Sequence, residues 1–141
     1  MLLVKKIHPN AILPTKAHDG DLGYDLYALD NEVIKHGEIT LVRTGIACQF
    51  PIGYGALLRD RSSVATKYGA AIVAGVIDNG YTGEILVAMH QIGKLNYHIS
   101  KGQKIAQMIL IPTVNFQVFE VDEIVSADTR AEKGFGSSGT T

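Results

Sequence analysis

Asp78 and Tyr81 stand three residues apart in the stretch 70–85, AAIVAGVIDNGYTGEI, and offer a carboxylate and an aromatic ring on one turn. A carboxylate at the end of a rigid strand is a recurring way to place a general base, because a fixed backbone limits positional error. The run 70–77 is apolar, partly β-branched and of the length of a buried strand, and it stops at Asp78. Asn79-Gly80 then reads as a hairpin signal, since both residues tolerate the positive φ of tight turns, and a second apolar strand follows at 85–89. The residues alone equally suit Asp78 as a turn former before Asn-Gly.

Four further stretches place polar groups where scaffold rarely needs them. In DGDLGYDL at 19–26, Asp19, Asp21 and Asp25 crowd a turn that enters a strand. Crowded carboxylates raise one another's pKa unless a cation offsets them, so the cluster fits either a positive partner or a solvated acidic loop. Asp25, between Tyr24 and Leu26, needs a hydrogen-bonded or ionic partner. Arg61, Ser62 and Ser63 combine a guanidinium fork, two hydroxyls and the first N–H groups of a short helix, which suits a phosphate as well as it suits a capped surface helix. Gln107 lies in the apolar run KGQKIAQMIL at 101–110, where an unpaired amide is costly and a partner is required. Residues 134–139 satisfy G-x-G-x-x-G, yet no strand precedes them and no helix can follow, so a dinucleotide fingerprint fails its context. A Gly/Ser loop there can still turn N–H groups toward a phosphate, with Phe135 covering a planar ring, or it can be a plain tail.

The elements that must carry these groups are short. Apolar runs at 2–7, 24–28, 39–43, 46–50, 54–58, 71–77, 85–92, 97–99, 105–111 and 116–121 alternate with glycine, proline and asparagine punctuation. That spacing predicts an all-β, jelly-roll-like sandwich or barrel with one short helix at 62–68, Ser62 or Ser63 as its N-cap and Gly69 as its stop. Without alternating helices there is no βαβ unit. The 141 residues make one domain at 1–125, followed by a Gly/Ser-rich C-terminal arm at 126–141 that lies outside the core. A net charge of -1 argues against a general nucleic-acid or membrane-surface binder, so any phosphate binding is local. Cys48 is the single cysteine, which excludes an intrachain disulfide and fits a reducing, cytoplasmic or other intracellular compartment. The opening MLLVKKIHP is too short and too soon charged for a signal peptide, and no apolar run reaches the length of a membrane span.

Taken in order, GYDLYA at 23–28, RSSVA at 61–65, GVIDNGYTGE at 75–84, KGQKIAQMI at 101–109 and RAEKGFGSSG at 130–139 resemble the five motifs of the trimeric dUTPases. The resemblance spans nearly the whole chain. It implies a jelly-roll homotrimer with three active sites at subunit interfaces, and Mg²⁺-assisted hydrolysis of dUTP to dUMP and pyrophosphate by water attacking the α-phosphorus. Asp78 matches the base that activates this water. Tyr81 matches the ring beneath the deoxyribose, and Gly75, Val76 and Ile77 match the main chain that reads uracil. Arg61, Ser62 and Ser63 would hold phosphates, Gln107 would act beside them, and Asp25 with Gln107 would meet the metal through its water shell. Arg130 would reach the γ-phosphate, Phe135 would stack on uracil, and Gly136, Ser137 and Ser138 would close on the phosphates. Several positions depart from the common pattern, among them Ala74-Gly75, which offers no side-chain amide where some relatives use an asparagine. Asp60 replaces a usual proline, where its charge weakens the phosphate seat or pairs with Arg61, Ser63 replaces a glycine, and Ala131 replaces another. A dCTP deaminase of the same fold, or a non-catalytic nucleotide-binding jelly roll, are the rival readings; the deaminase needs a glutamate acting on the base.

Overall fold

The computed structural model describes residues 1–126 and Gly134. Strands β1 (Leu3–Lys6), β4 (Ile39–Gln49), β8 (Glu84–Gln91) and β6 (Ala70–Ile72) form one antiparallel sheet in the order β1-β4-β8-β6. A second, in the order β2-β10-β5-β7, joins β2 (Tyr24–Tyr27), β10 (Lys104–Pro112), β5 (Tyr54–Arg59) and β7 (Val76–Ile77). A two-stranded ribbon pairs β3 (Glu32–Ile34) with β9 (Tyr97–Ile99). Alternation explains the layering. In β8, Ile85, Val87, Met89 and Gln91 are buried while Leu86 is exposed, the period of a half-buried strand. Ile85, Val87 and Met89 share one apolar cluster with Val42 and Ile46 of β4 and with Leu26, Leu58, Ile105 and Met108 of the other sheet. The result is the expected all-β, jelly-roll-like sandwich. No helix among the described residues is long and apolar enough to cross a membrane.

Four local expectations need correcting. The run 70–77 is two strands in different sheets, because Ala74 (φ 56°) and Gly75 (φ 93°) turn the chain across the sandwich between β6 and β7. It is also not a buried strand, since Val76 is 73% exposed. The helix at 62–68 is present with those bounds but winds as a π-helical turn over Val64–Tyr68, and Ser63, already helical at φ -65° and ψ -36°, makes no side-chain cap. Gly69 does stop it in a left-handed conformation, donating its N–H to Ala65 O at 3.1 Å. Runs 39–43 and 46–50 are a single strand, β4, interrupted only by a bulge at Gly45 (φ 71°). The run 116–121 pairs with no strand among the described residues, and Phe116, Val118 and Phe119 are exposed. Of the arm at 126–141, residues 127–133 and 135–141 lie outside the described residues.

Candidate active site

Asp78 is placed by the short strand before it. Ile77 pairs with Ala56 and Val76 with Leu57, while Leu58 N–H donates to Gly75 O at 2.8 Å. This close pairing requires Gly55 to be bare, because a Cβ there would lie 2.7 Å from Ile77 O. The chain then reverses, with Tyr81 N–H donating to Asp78 O at 3.1 Å. Neither Asn79 nor Gly80 has positive φ, and β7 and β8 belong to different sheets, so the turn is not the hairpin expected of Asn-Gly. Asn79 instead straps it down, donating its side-chain amide to Pro51 O at 2.9 Å and Tyr54 O at 2.7 Å. Asp78 is left exposed on the wall of a cleft of about 200 Å³, beside Gly75, Val76, Ile77 and Tyr81.

The Tyr81 ring folds back over Gly83, where a Cβ would fall 2.7 Å from its Oη, and the hydroxyl donates to Glu84 O at 2.7 Å. The Glu84 side chain takes a forked contact from Arg43, with Nη2–Oε1 at 2.9 Å and Nε–Oε2 at 3.0 Å. Hydrogen bonding by Arg43 holds the Glu84 carboxyl below its ordinary value, against a smaller opposing effect of burial.

A second group of predicted residues gathers across β2, β10 and the end of β5. In register, Gln107 faces Asp25 on one side and Arg59 on the other. Asp25 has the ionic partners that its strand position demanded, Arg61 Nε at 3.4 Å and Lys104 Nζ at 3.1 Å. Gln107 is half-buried and donates to Asp60 O at 2.9 Å, packed against Gly23, where a Cβ would come within 2.9 Å of the Gln107 Cβ. The fully buried glutamine is Gln91, which donates to Tyr68 O and Leu95 O. Asp60 turns away from Arg61, accepting Ile72 N–H at 2.6 Å. Ser62 and Ser63 are exposed beside Arg61. Asp21 caps the N–H of His18 at 2.9 Å, so the acidic cluster is a solvated turn from which Asp25 alone joins the site.

The structure therefore brings Gly75, Val76, Ile77, Asp78 and Tyr81 together, and separately Asp25, Arg61 and Gln107. It does not bring Asp78 to Arg61. Asp78 follows Ile77, which lies against Gly55, and Arg61 is six residues further along, on the order of 20 Å at the rise of an extended strand. Among the described residues no three His, Cys, Asp or Glu side chains converge as metal ligands. Arg130, Phe135, Gly136, Ser137 and Ser138 lie outside the described residues. Sequence reasoning missed Lys104, Arg43 and Glu84. Lys104 stood within the fourth motif, but only the folded pair of strands shows that its side chain reaches Asp25, two residues from the Tyr27 it faces in register.

The dUTPase family model matches residues 9–139. The chain is 43% identical over 141 residues to the deoxyuridine 5'-triphosphate nucleotidohydrolase of Clostridium kluyveri, covering 99% of this chain and 98% of that one. To that of Clostridium novyi it is 41% identical over 140 residues, covering 98% of each. The Staphylococcus bacteriophage 80alpha dUTPase with dUpNHpp is similar at a TM-score of 0.90 and 30% identity over 99% of both chains. A mutant dUTPase from phage phi11 of S. aureus, whose structure concerns a structural Mg(II) ion, is similar at a TM-score of 0.82 and 26% identity, covering 89% of this chain and 99% of that one. On the family match across most of its length and on relatives similar from end to end, this chain belongs to the dUTPase family.

Proposed function

We propose that this chain hydrolyses dUTP to dUMP and pyrophosphate, with Asp78 as the base for the attacking water. The observation that carries this is the exposed carboxylate of Asp78 on a braced turn, in one cleft with Tyr81 and the main chain of β7. Water loses a proton to Asp78 as its oxygen bonds to the α-phosphorus, and the bond from that phosphorus to the bridging oxygen breaks to release pyrophosphate. Main-chain groups at Gly75, Val76 and Ile77 read the uracil edge, and the bulk of Tyr81 leaves no room for a 2′-hydroxyl. The family relationship and the similarity to a phage dUTPase with dUpNHpp, a dUTP analogue, support the substrate. Against the deaminase reading, the glutamate found on the cleft wall among the described residues, Glu84, is engaged by Arg43.

Arg61, Ser62 and Ser63 bind phosphates, joined from the arm by Arg130 and by Gly136, Ser137 and Ser138, while Phe135 covers the base. Mg²⁺, when bound, neutralises phosphate charge. Asp25 and Gln107, adjacent across β2 and β10, fit a metal that arrives on the triphosphate with its waters. The ion pairs of Asp25 to Arg61 and Lys104 likewise suit outer-sphere contact.

Asp78 and Arg61 cannot reach one α-phosphate from within one protomer, so the site is completed by another copy, consistent with a homotrimer. Exposed Val114, Phe116, Val118, Phe119 and Val121, on a stretch without strand partners among the described residues, supply apolar surface for that association. A single, buried Cys48 accords with a reducing intracellular compartment. The test is pyrophosphate release from dUTP, dCTP, dTTP and UTP. Release from dUTP alone is expected, and ammonia release from dCTP would overturn the reading.

A further inference from the structure

We infer that the Arg43–Glu84 pair is a positioning device for Tyr81 and so a determinant of sugar selectivity, an inference that rests on the reading of Tyr81 as the ring facing deoxyribose. Tyr81 stands just beyond a turn, 44% exposed, and its ring tip is fixed by the hydrogen bond to Glu84 O. Steric rejection of a single hydroxyl fails if the ring can retreat by an ångström, so whatever holds Glu84 holds the selectivity.

Glu84 is held from three directions. Between the pairs Arg43–Leu86 and Ala47–Glu84, β4 advances four residues while β8 advances two, so β4 carries a bulge directly opposite the start of β8. The bulge is fixed from within, as Thr44 Oγ1 donates to Ile85 O at 2.6 Å and accepts from Ile46 N–H at 3.4 Å. Gly45 N–H donates to Glu84 Oε2 at 3.4 Å, and the Arg43 fork grips the same carboxylate. The Arg43 side chain is 48% exposed, where an ion pair adds little to stability. A bidentate fork does, however, fix direction. Its consequence is the location of the Glu84 carbonyl, and through it of the Tyr81 ring.

The experiment compares kcat/KM for dUTP with that for UTP. In the unsubstituted protein, failure to hydrolyse dUTP or equal use of both sugars overturns the functional reading and this inference with it. Given selective wild type, Arg43→Gln and Glu84→Gln are each expected to lower the dUTP/UTP ratio roughly tenfold. The reversed pair Arg43→Glu/Glu84→Arg should recover most of it. Tyr81→Phe/Glu84→Gln should be no less selective than Tyr81→Phe alone, because both changes cut one chain of contacts. A ratio that stays at the wild-type value while the melting temperature drops would assign the pair a merely structural role and overturn the inference, as would losses that multiply in the double variant. Should Glu84→Gln not fold, Arg43→Lys, which keeps the charge without the fork, carries the same prediction at smaller amplitude, and an unchanged ratio there also overturns it.

Discussion

At the scale of single residues, charge placement decides the chemistry. Asp78→Asn keeps the shape of the side chain and removes its ability to take a proton from water. Pyrophosphate release should fall about a thousandfold while dUpNHpp affinity, measured by calorimetry, is largely kept. Unchanged turnover would reassign the base. Glu84 titrates below its ordinary value of 4.5 because of Arg43, so the contact adds stability at higher pH that is lost as pH falls through the lowered folded-state value. Melting temperatures recorded down this acid range should decline less for Glu84→Gln than for the unsubstituted protein. Cys48 is buried at 3% exposure, and burial pushes its thiol up to about 11. A thiol reagent at about pH 8 should label it only when the protein unfolds, and rapid labelling of the native protein would contradict that burial.

At the scale of elements, the crossing at 73–75 matters most, because it carries the chain from the first sheet to the strand that presents Asp78. Gly75 adopts a φ of 93°, and a Cβ there would lie 2.9 Å from Leu58 O. Gly75→Ala should therefore destabilise by about 1–3 kcal/mol in denaturant melts and displace β7 from β5. Much of the sandwich was legible beforehand, because alternating runs such as β8 write their inner face directly into the order of residues. The crossing was not. Eight apolar residues at 70–77 read as continuous, and Ala74 at a φ of 56° is a non-glycine where the sequence offers no warning of a left-handed turn. The bulge in β4 was hidden likewise, because Gly45 looks like a break between strands when it is an insertion within one. Motif residues such as Asp25 and Gln107 announced a need for partners by sitting polar among apolar neighbours. Which partners answered depended on strand pairing, as with Lys104, or on contacts 41 residues apart, as with Arg43 and Glu84.

At the scale of the whole molecule, Asp78 and Arg61 lie toward opposite ends of β5. On the proposed reading, one protomer carries the base at one end of β5 and the phosphate-binding residues at the other, so neither end is complete by itself. Removing residues 130–141 should cut turnover severely while light scattering still reports the oligomer. Truncation from residue 113 should instead release smaller species, because it removes the exposed apolar stretch. The most direct test of a site shared between copies is to denature Asp78→Asn and Arg61→Ala proteins together, refold the mixture and assay pyrophosphate release from dUTP. Each variant alone should be nearly inactive and the mixed oligomers should regain a substantial fraction of wild-type activity, since some interfaces then combine an intact Asp78 with an intact Arg61. Mixed oligomers as inactive as their parents would contradict the shared site and return both residues to a single chain.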